Sequence, residues 1–135
     1  MLQESHFFIA VFGRPHAIQH PVDGGVYPIP LSYCPEIGEG DKILLFCLRE
    51  YPGYSWEAPG VGIVTQTAQR NHNGCAYVDI HYEYRALNAP IRRDAIMRCL
   101  TAQEARQLMY PRFKANWLRR IGESSARHLT LFDYL

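Results

Sequence analysis

The sequence predicts an α+β fold, with strands through the first two thirds of the chain and short helices toward its end, or a small barrel with helical additions. Three observations carry this. Short apolar runs bounded by Gly and Pro recur up to Tyr84. Asn73-Gly74 stands between two strand-like runs, the strongest short hairpin signal. After Tyr84 the pattern changes, and Thr101 followed three residues on by Glu104 forms a capping box ahead of a helix.

The first strand is "HFFIAVFG" (6–13), stopped by Gly13 and Pro15. Residues 14–40 hold Pro15, Pro21, Pro28, Pro30 and Pro35, which excludes a helix or a central strand. The segment is too long for a turn and is expected to be functional or packed on itself. "GEGDKILLFCLRE" (38–50) is a turn and then a strand, and its nearly continuous apolar run Ile43–Leu48 predicts burial on both faces. "GVGIVTQTAQ" (60–69) is the next strand, with glycines that permit tight curvature or close backbone approach. In "CAYVDIHYEY" the alternation puts Ala76, Val78, Ile80 and Tyr82 on one face, with Tyr77, Asp79, His81 and Glu83 on the wetter one. "APIRRDAIMRCL" reads as a short strand or turn and then a helical turn, and "TAQEARQLM" as a helix. "FKANWLRRIG" sets Phe113 and Trp117 four apart, on one helix face or in an irregular segment packed on the core. "ESSARHLTLFDYL" is expected to be a final helix with Leu129, Leu131 and Phe132 inward. Without repeats or internal linkers, residues 1–135 read as a single domain.

At 135 residues, 47% hydrophobic and 20% charged, the chain is long enough for one core without metals or disulfides. No apolar run approaches the ~20 residues of a membrane span. "MLQESHFF" lacks the features of a signal peptide, so the expectation is a cytoplasmic protein with no membrane partner. Cys34, Cys47, Cys75 and Cys99 are scattered singly, which predicts buried free thiols. The paired spacing of zinc ligands is missing, and Pro15 and Pro21 flank His16 and His20, so no metal or cofactor is expected.

The net charge of +1 is uneven. Residues 1–84 carry 4 basic and 9 acidic side chains (−5), residues 85–128 carry 10 and 3 (+7), and Asp133 completes the sum. Arginine supplies 12 of the 14 basic groups. Its planar guanidinium forks onto phosphate and stacks on rings and bases. The basic part is either a solvated helical face or the footprint of a nucleic acid. A second functional signal is "REYPGYSWEAPGVGIV" (49–64), where Tyr51, Tyr54 and Trp56 fall in a Pro/Gly loop between strands.

"IGEGDKILLFC" followed by "APGVGIVTQ" resembles the centre of the PUA-like superfamily, in particular EVE-type domains. "HFFIAVFGRP" is similar to the family's opening aromatic-rich strand, and "FKANWLRRIGESSARHL" to its closing segment. The tryptophan-centred motif that many EVE domains carry ahead of the "GD" strand is replaced here by "PVDGGVYPIPLSYC". The resemblance implies a PUA-like pseudo-barrel of about five or six strands, with short helices mostly in the C-terminal third. It also implies a nucleic-acid partner, DNA or RNA. Relatives in the YTH and SRA branches hold a flipped, often modified base in an aromatic cage. On that reading Tyr51, Tyr54 and Trp56 form one wall of a base pocket, and Tyr27 and Tyr33 the opposite wall. Arg14, His16 and Arg49 contact phosphate or base edge, with Asn116 and Trp117 approaching the pocket. Arg92, Arg93, Arg112, Arg119 and Arg120 track the backbone. For Tyr27, Tyr33, Trp56 and Trp117 a purely structural role stays open, as loop staples, a barrel cap and a core residue.

Two rival classes stand beside this one. The ASCH branch includes small amidohydrolases acting on modified nucleosides, and Lys42, Glu57, Thr65, Thr67 and His81 supply ingredients for such a site. Nothing in their spacing demands it, and G-x-S-x-G, Walker A and H-E-x-x-H motifs are absent, so no residue is assigned as catalytic. The third class is a protein-interaction accessory domain whose exposed aromatics form a binding patch.

Overall fold

The computed structural model describes residues 5–13, 25–48, 53–110 and 116–134, leaving aside the side chains of Phe132 and Tyr134. Its strands are β1 (Phe7–Phe12), β2 (Val26–Pro30), β3 (Lys42–Cys47), β4 (Glu57–His72), β5 (Cys75–Arg92) and β6 (Leu118–Ile121). The helices are α1 (Arg93–Cys99), α2 (Ala102–Met109) and α3 (Glu123–His128), with 3-10 turns at Leu31–Tyr33 and Leu131–Tyr134. The strands form one mixed sheet in the order β2-β5-β4-β3-β1-β6. β1 and β3 run parallel and every other pairing is antiparallel.

β1 and β3 are neighbours in the interior of the sheet, and every residue of both is buried. Their side chains alternate between two cores, which is why neither reads as an alternating strand. Phe8, Phe12, Ile43 and Leu45 join Tyr27, Ile29, Val64, Val78, Ile80 and Leu118 in an inner core. Phe7, Ile9, Val11, Leu44 and Phe46 face the other way and are covered by Ile96 of α1, Leu108 of α2, Ala126 of α3 and Leu129 and Leu131.

The sheet curls. β2 and β6 are its two edges, which in a flat six-stranded sheet stand ~24 Å apart. Yet the Tyr27 hydroxyl on β2 shares its proton between the carbonyls of Val11 and Trp117, both at 2.8 Å, just ahead of β6. The inner core is thus the filling of a half-barrel. β4 supplies the bend: its register with β5 shifts between Ala58 and Gly60 and again between Val64 and Gln66. Pro59 occupies the first shift, one of the few interior positions a strand grants proline. A Cβ at Gly60 would lie 2.5 Å from the Arg85 carbonyl and from the Tyr84 ring, so the "GVG" of the sequence marks close packing of β5 aromatics onto the β4 backbone.

Several sequence expectations are refined. The Pro-rich segment does contain a strand, β2, but on the sheet edge and paired only with β5, where prolines are tolerated. Asn73 and Gly74 form the two-residue hairpin turn, with φ of 51° and 79°. The capping box is complete, with both the Glu104 N–H to Thr101 Oγ and Thr101 N–H to Glu104 bonds present. The "WLRRIG" region is a strand rather than a helix, because β6 extends the edge beside β1. The final helix is only six residues, and Leu129 and Leu131 point inward beyond it. Cys47 is buried, but Cys75 is exposed beside the hairpin turn. Burial, helped by nearby Glu57, pushes the Cys47 thiol up to about 12, far from a reactive thiolate.

Candidate nucleic-acid interface

Trp56 stands at the entrance to β4. Its backbone takes φ of 58°, the left-handed region that a bulky aromatic avoids at a cost of ~1–2 kcal/mol. Two contacts hold it there. Its carbonyl accepts the Arg93 N–H at 3.0 Å, tying the start of β4 to the start of α1. Its ring leans on Phe46, with centroids 6.2 Å apart at 47°. The result is an indole left 37% exposed. Arg93 covers it, with Cζ 5.1 Å from the ring centroid. Arg93 Nε is buried with no hydrogen-bond partner among the described residues. Arg92, exposed, ends β5 opposite Glu57.

Beside this stack, between α2 and β6, lies a shallow open hollow rimmed by Glu104, Gln107, Asn116 and Arg119 over an apolar floor that includes Val11 and Leu108. Val11 pairs in register with Phe46, so the hollow and the Trp56 stack are neighbours on the helix-bearing face. Arg119 Nε donates to Gln107 Oε1 at 3.0 Å, and Asn116 Nδ2 to the Tyr110 carbonyl at 3.0 Å. Glu104 receives N–H groups from Thr101 and Gly122 and the hydroxyl of Ser125. Partial burial works to raise its pKa, but these hydrogen bonds outweigh it and hold the carboxyl below its ordinary value. Glu104 and Gln107 were not singled out for this role in the sequence. Glu104 was visible only as half of a helix cap, and Gln107 carries no motif.

The residues expected to face one another do so only in part. Tyr27 is fully buried in the inner core, its hydroxyl engaged, so it is a fold residue and not an open wall. Trp117 is 9% exposed and packs over Gly13, where a Cβ would meet its ring at 3.0 Å. Tyr54 packs against the inner core, on the opposite side of the sheet from the Phe46 that supports Trp56. Tyr33 is exposed on the 3-10 turn after β2. Arg119 lies opposite Ile9 and Arg120 opposite Phe8, so the two arginines point to opposite faces of the sheet. Arg14, His16, Arg49, Tyr51 and Arg112 lie outside the described residues.

Lys42 is buried. Its Nζ donates to the Gly40 carbonyl at 2.6 Å and contacts Ser5 Oγ at 3.3 Å, and desolvation lowers its pKa. Asp41 beside it accepts the N–H groups of His6 and Gly38 at 2.8 Å each, which makes the "GD" pair a staple for the starts of β1 and β3. Lys42 begins β3 and Cys47, opposite Glu57, ends it, so Lys42 and Trp56 are about 16 Å apart along the strand. Among the described residues no group of three His, Cys, Asp or Glu side chains is placed to hold a metal. No helix among them is long and apolar enough to cross a membrane.

No family model matches the chain, and neither does any curated protein. Among solved structures, a serine-to-alanine mutant of ZmASCH from Zymomonas mobilis superposes with a TM-score of 0.65, covering 97% of this chain and 99% of that one at 9% sequence identity. At that identity the likeness is one of fold. The curled six-stranded sheet with helices on its outer face is the fold this chain shares with that structure, and it is consistent with the pseudo-barrel expected from the sequence.

Proposed function

We propose that this chain binds nucleic acid, with one unstacked base seated at Trp56 and the phosphate backbone passing on the helix-bearing side, where Arg93 and Arg119 lie. The observation that carries the reading is Trp56 itself: a large aromatic, over a third exposed, in a costly backbone conformation, beneath a guanidinium. Strain of this kind persists where surrounding structure enforces it, and it collects at binding sites. The two partners are what single-strand recognition uses, since stacking on a protein aromatic is worth ~1–3 kcal/mol per base and a basic rim tracks the backbone. The neighbouring hollow adds Asn116 and Gln107, whose amides offer both donors and acceptors to a base edge. An EVE-type preference for a flipped or modified base is the finer form of the same proposal.

The test is fluorescence anisotropy with labelled single- and double-stranded DNA and RNA at two salt concentrations. Binding is expected to weaken as salt rises, because phosphate contacts release counterions. Trp56→Ala is expected to lose ~1–3 kcal/mol of affinity, the worth of one stacked base. Wild-type affinity retained in that variant, or no salt dependence, sinks the proposal.

A further inference from the structure

We infer that the Trp56–Arg93 stack is the closed form of the base site, and that Arg93 makes the site select an uncharged base over a cationic methylated one. The inference rests on the nucleic-acid reading above and names its ligand class. Arg93 Cζ stands 5.1 Å from the indole centroid. A base between the two planes needs two contacts of ~3.5 Å each, so the guanidinium must withdraw by roughly 2 Å. The Arg93 backbone stays pinned by its N–H to the Trp56 carbonyl, while its buried Nε has no hydrogen-bond partner among the described residues. The side chain is therefore held over the ring mainly by the cation–π contact, which is weak at a partly exposed site.

Opening replaces that contact with an indole–base–guanidinium sandwich, a mode arginine shares with aromatic side chains. The fixed positive charge then faces the base. An uncharged base keeps its stacking on both sides, and a base carrying its own positive charge is repelled by Arg93 even though the indole attracts it. The ordinary aromatic cage, with no cation of its own, has the opposite preference.

The experiment uses three labelled single-stranded oligonucleotides, identical except for one central adenine, N6-methyladenine or 1-methyladenine. The last two are isomers; the first is neutral at pH 7 and the second cationic. Anisotropy titrations compare wild type with Arg93→Gln, which removes the charge, and Arg93→Lys, which keeps it. Wild type and R93K are expected to bind adenine and N6-methyladenine roughly fivefold more tightly than 1-methyladenine, and R93Q is expected to erase or reverse the ratio. Equal affinities in wild type, loss of the preference in R93K, or an unchanged ratio in a folded R93Q overturns the role of Arg93 and leaves nucleic-acid binding standing. A protein that binds none of the three, nor any other nucleic acid, overturns both.

Discussion

Tyr27 separates a fold residue from a site residue. Its phenol is wholly buried and its pKa is raised well above the ordinary value by desolvation, so it remains a hydrogen-bond donor at any ordinary pH. The donated proton links both edges of the sheet through Val11 and Trp117. Tyr27→Phe is expected to cost ~1–3 kcal/mol, because the buried Val11 carbonyl loses the hydroxyl and the Trp117 carbonyl is left with the Val11 N–H alone, with nucleic-acid affinity of the folded protein unchanged. Urea unfolding and anisotropy read the two quantities; lost affinity at full stability would restore Tyr27 to a pocket wall. In the sequence Tyr27 lies among prolines and reads as a loop aromatic, since nothing local announces that the sheet curls to meet it. Trp56 was legible as an odd aromatic between strands. Its partner was not: Arg93 is 37 positions away, among arginines that look alike in sequence, and only the antiparallel pairing of β4 with the end of β5 singles it out.

Helix α2 shows how a short element is fixed. Eight residues do not hold a helix in water, so α2 depends on its ends and its buried face. Glu104 acts at both: it completes the cap with Thr101 and receives the N–H of Gly122, which caps α3, and the hydroxyl of Ser125 within α3. Its carboxyl is held below the unfolded value, so the stability it contributes is present above the ordinary carboxylate range near pH 4.5 and is lost as pH falls through the lower folded value. Glu104→Gln is expected to lower stability at pH 7 by about 1 kcal/mol and to flatten the acid side of the stability–pH curve. Urea midpoints from pH 7 down to pH 3 measure this; a variant curve parallel to wild type excludes the linkage. The cap was readable because its signal is local, two residues three apart. β6 was not, because four residues carry no period, and "LRRI" becomes a strand only by pairing with β1.

Across the whole molecule the basic charge is less a face than the sequence implied. On a helix, neighbouring arginines share a side; on β6, Arg119 and Arg120 are divided between the two faces of the sheet. Arg119 lies on the helix-bearing side at the rim of the hollow, and Arg120 is exposed on the other. Arg92, in register with Glu57 and Cys47, points to the inner-core side, so on the proposed reading a strand laid over Trp56 runs past Arg93 and Arg119 and does not reach Arg120. Each neutralised phosphate contributes ~0.7–0.9 to the slope of log affinity against log salt. Arg119→Ala is expected to reduce that slope by about one contact and weaken binding to all sequences alike, whereas Arg120→Ala leaves slope and affinity unchanged. The comparison controls for net charge, since both variants lose one positive group. Equal losses would mean a diffuse electrostatic attraction of the arginine-rich half. A loss confined to Arg119 would place the backbone on the face that carries the Trp56 stack.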